Sequence, residues 1–150
     1  MVTTPVTAPQ PRPAHDRQLR IAHVITKFTA GAGGITLRGA LGLDPERYAV
    51  TVLAAAGGSF SSRAEEAGIE VIPLRHMSPE LSPRSDGRGV AELTAHLAGG
   101  PFDLVHTHSA KAGALGRVAA RLAGVPAVGL PALRTEGLRR ASAARRTSTG

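Results

Sequence analysis

The sequence predicts an α/β fold, a parallel β-sheet doubly wound with helices on both faces, and three observations predict it. Short β-branched apolar runs alternate with segments of helical spacing through the middle of the chain. The runs are almost continuously apolar, as in strands buried on both faces. Gly, Pro and Asp separate them at intervals suited to βαβ units.

The elements follow in order. Residues 1–18 contain Pro5, Pro9, Pro11 and Pro13 among Thr and Gln, the composition of a disordered leader. Arg20 to Thr26 is a buried strand, followed by Gly31-Ala32-Gly33-Gly34 as a loop and by Leu37, Ala40 and Leu41 at helical spacing. Asp44-Pro45 ends that helix, and Tyr48 to Leu53 is the second strand. Ser62 and Glu65 have the spacing of a capping box for a short helix that stops at Gly68. Glu70 to Leu74 is the third strand. A loop with Pro79, Pro83 and Gly87 leads to a helix striped by Val90, Leu93 and Leu97, which Gly99-Gly100-Pro101 breaks. Phe102 to Thr107 is the fourth strand. Ala110 to Leu122 is a helix with Leu115, Val118, Ala119 and Leu122 on one face; Gly124 caps it, and Val125 to Val128 begins a fifth strand. Residues 129–150 break this rhythm: Leu130, Leu133 and Leu138 are their only large apolar residues, and they read as a basic, disordered tail. The resulting division is a leader at 1–18, a Rossmann-like domain at 19–128 and a tail at 129–150.

Composition excludes several function classes. The 150 residues carry a formal charge of +7, which at first points to a polyanion partner. Residues 1–20 hold three Arg against one Asp, and residues 129–150 hold five Arg against one Glu. The middle is therefore nearly neutral, and specific nucleic-acid binding by the folded part is not expected. With no Cys there is no disulfide framework and no thiol nucleophile. The aromatic residues are only Phe28, Tyr48, Phe60 and Phe102, too few for a base-stacking platform. No apolar run approaches the roughly 18 residues of a membrane helix, and the N-terminus lacks a signal-peptide core, so a cytoplasmic location is expected.

Three groups of residues carry chemistry. Gly33 and Gly34 lie between the first strand and the first helix, where backbone and helix dipole suit a phosphate. No Gly-Lys-Ser/Thr follows, so this is no P-loop. Thr36 occupies the last position of a dinucleotide fingerprint, and Ala54-Ala55-Ala56-Gly57-Gly58 stands where a ribose-binding acid belongs, which argues against NAD. His106 and His108 close the fourth strand, the edge where open α/β sheets bind ligands. No third metal ligand is evident for the pair, so no metal is expected. His108 is the catalytic candidate, with a near-neutral pKa suited to acid–base or hydrogen-bonding work. Ser109 is an N-cap. Lys111 either holds an anion or is solvated. Gly113 and Gly116 cost a helix roughly 1 kcal/mol each relative to Ala, so close packing or a close ligand must explain them. Arg117 and Arg121 read as solvated surface, and Asp103 and Glu92 as carboxylates without a visible partner.

The segment His106-Thr107-His108-Ser109-Ala110-Lys111-Ala112-Gly113 through Gly124-Val125-Pro126 resembles the His-Thr-His-Ser-x-Lys-Ala-Gly segment of family 4 glycosyltransferases. The strand at Ile21–Thr26, the Gly33-Gly34 turn, Leu43 to Tyr48 and Ala67 to Val71 follow the order of that family, so the resemblance spans about residues 19–128. It implies the N-terminal half of a GT-B architecture and retaining transfer of a sugar from a nucleotide-sugar donor to an acceptor, without metal or other cofactor. It further implies that Gly33 and Gly34 approach the donor diphosphate, that His108 faces the sugar, and that His106, Ser109 and Lys111 line the acceptor or substrate pocket. Gly33-Gly34-Ile35-Thr36 departs from the family's Gly-Gly-Ala-Glu, so any role of that acid is lost here.

The family's C-terminal domain, with its donor nucleotide site, has no counterpart in these residues. The loss of pattern at Val128 leads to the expectation of a truncated or frameshifted product, which coding DNA past codon 128 would test. A chain of this kind is expected to be inactive alone and to need a missing C-terminal half as partner. The rival reading is a non-catalytic Rossmann-like binding module that complements a separate C-terminal half or makes peripheral contact with an acceptor-bearing membrane. A small NAD-dependent oxidoreductase ranks below it, and nucleic-acid binding ranks last.

Overall fold

A computed structural model describes residues 17–129. Most of the leader and nearly all of the basic tail fall outside these residues. The element order is β1 (Leu19–Ile25), α1 (Ala32–Leu41), β2 (Tyr48–Ala55), α2 (Ser61–Glu66), β3 (Glu70–Leu74), α3 (Pro83–Gly99), β4 (Leu104–Thr107), α4 (Ala110–Ala123) and β5 (Ala127–Gly129). All strand pairs are parallel, in the order β3-β2-β1-β4-β5. The fold is thus the doubly wound α/β sheet that the alternation of strands and helices predicts.

Each sheet face has its own core. On one, Ala22, Val24, Leu53 and Val105 meet Leu93 and Leu97 of α3 and Ala112, Ala119 and Ala120 of α4. On the other, Ile25, Val52 and Ala54 meet Leu37 and Ala40 of α1 and Ala64 of α2. Burying a side chain such as Leu93 contributes about 1.5–3 kcal/mol, so both layers drive the sheet's coverage.

Several local expectations are corrected. The glycine stretch is not a free loop: α1 begins at Ala32, behind an N-cap at Gly31. The helix also closes early, at Gly42 rather than Asp44-Pro45. Ser62 does not cap α2, because the helix starts at Ser61 behind Phe60 and has no side-chain cap. A tertiary anchor sets that start. The Phe60 amide donates to the Phe28 carbonyl at 3.2 Å, and the two rings meet edge-on at 6.0 Å.

Pro83 and Gly87 lie inside α3 rather than before it, with Ser82 as N-cap. Proline at the first helical position forfeits no hydrogen bond, so it begins this helix instead of delaying it. The Ser82 amide also donates to the Asp86 carboxylate at 3.1 Å. β4 starts at Leu104, two residues late, because Asp103 is drawn into side-chain bonds. Its carboxylate accepts from the Arg17 guanidinium at 2.6 and 3.1 Å and from the Arg20 amide at 2.9 Å. Glu92 also has partners, the amides of Arg75 and His76 at 2.8 and 2.9 Å.

The largest correction concerns α4. Val118 and Leu122, expected in the core, are 51% and 67% exposed. The buried face is Ala112, Gly113, Gly116, Ala119 and Ala120. A Cβ added at Gly116 would lie 2.8 Å from Thr107 Cγ2, so the missing side chain is what lets α4 close onto β4. Close packing therefore accounts for Gly116. Arg117 and Arg121 are exposed, as expected.

Candidate functional site

The strand order reverses at β1, whose neighbours β2 and β4 connect in opposite directions along the sheet. In an open α/β sheet the crevice at such a point, beyond the carboxyl ends of the strands, is the place for a ligand. Two loops meet there. The β1–α1 loop brings Thr26, and the β4–α4 loop brings His108 and Ser109. The His108 amide donates to the Val24 carbonyl at 3.0 Å, carrying the β1–β4 ladder one step past β4. The hydroxyls of Thr26 and Ser109 are 3.2 Å apart, which ties the loops together. The Ser109 hydroxyl also accepts from the Ala112 amide at 3.2 Å, so its expected N-cap role is observed.

His106 and His108 are brought together, with ring centroids 4.3 Å apart. A third imidazole joins them. His23 is the register partner of His106 across β1 and β4, so the two project to the same sheet face. Its ring stacks on His108 at 4.8 Å and 16°, and its Nδ1 lies 2.6 Å from His108 Nε2. His23 was missed among the sequence candidates because it sits in an apolar strand. Its one signal was being the only polar side chain between Ile21 and Ile25.

Burial governs the electrostatics. It pushes His23 down to about 3, with the neighbouring imidazoles His108 and His106 adding to the effect. Burial and then His106 push His108 down to about 4, and burial lowers His106 as well. The near-neutral pKa expected of His108 is therefore corrected. All three rings are neutral at pH 7, and the chemistry they offer there is hydrogen bonding.

One ring nitrogen from each of the three histidines lies within 4.8 Å of the other two, which makes them the candidate metal ligands among the described residues. Two nitrogens on a tetrahedral zinc ion sit about 3.3 Å apart, given Zn–N bonds near 2.0–2.1 Å. The His23–His108 contact of 2.6 Å is closer than that and is a hydrogen bond. A metal would have to break it.

The other expected residues are placed differently. Lys111 is not solvated: its ammonium pairs with Asp86 of α3 at 2.6 Å, contacts the Glu80 carbonyl, and its side chain is 9% exposed. This pair holds the Asp86 carboxyl below its ordinary range, chiefly through the Lys111 hydrogen bond. Lys111 and Ser109 still border a cleft of about 690 Å³ that also contacts Thr26, Leu81 and Leu115. Gly33 is buried in the first turn of α1, where a Cβ would lie 3.1 Å from the Phe28 carbonyl carbon. A Cβ added at Gly34 would lie 3.8 Å from Cε2 of the Phe60 ring. Gly31 provides no side-chain cap, but its carbonyl accepts from the amides of Gly34 at 3.0 Å and Ile35 at 3.2 Å, so among the described residues the amides left for other acceptors in the first turn of α1 are those of Ala32 and Gly33. Thr36 is fully buried, and its hydroxyl donates to the Ala32 carbonyl at 2.9 Å.

Comparison with known proteins agrees with this architecture. The chain is 30% identical over 112 residues to a UDP-Gal:alpha-D-GlcNAc-diphosphoundecaprenol alpha-1,3-galactosyltransferase of Escherichia coli, covering 74% of this chain and 29% of that protein. Acinetobacter baumannii MurG superposes with a TM-score of 0.58 at 16% identity, over 75% of this chain and 35% of that one. Anabaena Alr3699/HepE, solved in complex with UDP and glucose, superposes with a TM-score of 0.57 at 20% identity, over 73% and 29%. The chain thus spans about a third of the length of these relatives. The family described as Glycosyl transferase 4-like domain matches residues 30–148, a stretch that runs on past Val128. This chain belongs to the glycosyl transferase 4-like domain family.

Proposed function

We propose that the chain forms the acceptor-side, N-terminal half of a sugar transferase that draws on a nucleotide-sugar donor. The observation that carries this reading is the position of His106, His108 and Ser109 at the β1–β4 crevice in a chain of this family. The E. coli relative is named for a UDP-galactose donor and a lipid diphosphate acceptor, and the Anabaena structure holds UDP and glucose. In this reading His108 meets the transferred sugar, and the uncapped start of α1 at Gly33 and Gly34 receives the donor diphosphate. His106, Ser109 and Lys111 border the acceptor pocket, Lys111 by fixing α4 to α3 through Asp86 rather than by binding an anion. The nucleotide itself falls to the part of the relatives' length beyond the matched region.

No helix among the described residues is long and apolar enough to cross a membrane. An acceptor on a lipid carrier would bring such a protein to the cytoplasmic membrane surface as a peripheral partner.

Amide and imidazole spectra of the ¹⁵N-labelled chain, titrated with UDP-galactose and UDP-glucose, test the reading. Shifts at Gly33, Gly34 and His108 are expected with at least one donor, and His108→Ala should abolish those around the crevice. Shifts confined to other regions, or none at saturating donor, would overturn the assignment.

A further inference from the structure

We propose that His23 is a positioning residue of this site: it holds His108 as the Nδ1–H tautomer, so that His108 presents a hydrogen-bond donor to an oxygen of the bound sugar. The second half rests on the reading that His108 meets the sugar; the tautomer itself does not.

A neutral imidazole has one N–H and one lone pair. The 2.6 Å contact between His23 Nδ1 and His108 Nε2 needs one of each. Two proton arrangements satisfy it. If His108 donates from Nε2, the single proton of His23 must sit on its own Nε2. That nitrogen is buried and has no hydrogen-bond partner among the described residues. A buried N–H without an acceptor is the rarer and costlier defect, whereas an unpaired lone pair is better tolerated. The proton therefore belongs on His23 Nδ1, which donates to His108 Nε2. The proton of His108 is then left on Nδ1.

The surroundings keep His23 in this role. It is 5% exposed, sits on the middle strand of the sheet, and faces His106 and His108 on its own side. Among the described residues the imidazole hydrogen-bonded to His108 Nε2 is His23; His106 touches the His108 ring without such a bond, and its Nε2 is buried without a partner. Backbone geometry adds to the constraint, since the His108 amide is tied to Val24, the residue after His23. The plane of the His108 ring, its position and its tautomer are thus all set from β1. A histidine held this way faces substrate as a donor, and it is not a general base toward it.

Long-range ¹H–¹⁵N imidazole spectra of the full chain at neutral pH read the tautomer without any ligand. The expected pattern is His108 protonated on Nδ1 with an unprotonated Nε2, and His23 likewise protonated on Nδ1. His23→Asn, whose amide NH₂ takes the place of Nδ1–H, should keep the His108 pattern. His23→Leu should shift His108 toward a mixture or toward Nε2–H. A wild-type His108 protonated on Nε2 would overturn the proposal even if no variant folds, and so would an unchanged His108 in a folded His23→Leu protein. If the tautomers are as expected but His108→Ala leaves the donor-induced shifts intact, the coupling stands and the sugar-contact reading fails.

Discussion

His23 Nδ1 and His108 Nε2 lie 2.6 Å apart, joining residues separated by 85 positions in the chain. The contact links the middle strand to the loop where the sheet's direction of winding reverses. Two neutral imidazoles bonded this way make acidification costly. Their folded pKa values, about 3 and about 4, lie below the unfolded value of 6.5. Between those limits the unfolded chain binds more protons than the folded one, so stability rises with pH across this window. It is complete above about pH 6.5 and is lost as pH falls toward 4. Urea unfolding at pH 7, 6 and 5 should show a decline of up to about 1.4 kcal/mol per pH unit for each buried histidine. His23→Leu should flatten that decline. A stability independent of pH over this range would contradict the burial of the cluster.

Gly116 and Gly39 should respond to alanine in opposite ways. A Cβ at Gly116 meets Thr107 at 2.8 Å, whereas nothing lies within 4 Å of one at Gly39 in α1. Gly116→Ala is expected to destabilise by about 1–3 kcal/mol through overpacking, despite alanine's better helix propensity. Gly39→Ala is expected to stabilise by up to about 1 kcal/mol. Thermal melts of both variants check the pair.

The buried face of α4 can be tested by polarity. Leu122→Gln, at an exposed site, should stay within about 0.5 kcal/mol of the parent protein. Ala119→Asn, at a fully buried one, should lose about 1–3 kcal/mol through an unsatisfied amide. The reverse order would restore the face read from leucine and valine spacing.

Asp86→Asn removes the partner of a Lys111 ammonium that is only 9% exposed. Its melting temperature should fall, and Lys111→Met added to it should recover part of the loss by removing the stranded charge. Further destabilisation by the second substitution, measured by thermal denaturation, would show that Lys111 has other obligations at the cleft.

The purified 150-residue chain, incubated with UDP-galactose or UDP-glucose and a lipid diphosphate acceptor, should show no sugar transfer. It spans only 29% of the E. coli relative's length, and on the function proposed above the donor nucleotide falls to the remainder. Radiolabelled transfer above background would show that these residues suffice.

Local pattern made much of this protein legible. Five β-branched runs, the N-cap Ser109, the stop at Gly124 and the strand end at His106–His108 depend on neighbours within a few residues, and all could be read from the chain. The starts of α2 and β4 could not, because each is set by a distant bond: Phe60 to Phe28, and Asp103 to Arg17 and Arg20. The start of α3 is marked locally, by Pro83 at its first position and by the Ser82 amide on Asp86, and reading that proline as a loop residue hides it. The buried face of α4 was misread for a related reason. Size, not hydropathy, decided which side could approach Thr107, and fit to a neighbour leaves no periodic trace.

The site divides along the same line. The sequence alone determined that the strands would be parallel and that His106 and His108 would stand at the carboxyl end of one of them. Only the tertiary structure placed His23 beneath it. Hydrogen bonding and desolvation act between side chains that meet in space. The neutrality of the cluster, and the direction of its one buried proton, therefore depend on strand order rather than on spacing along the chain.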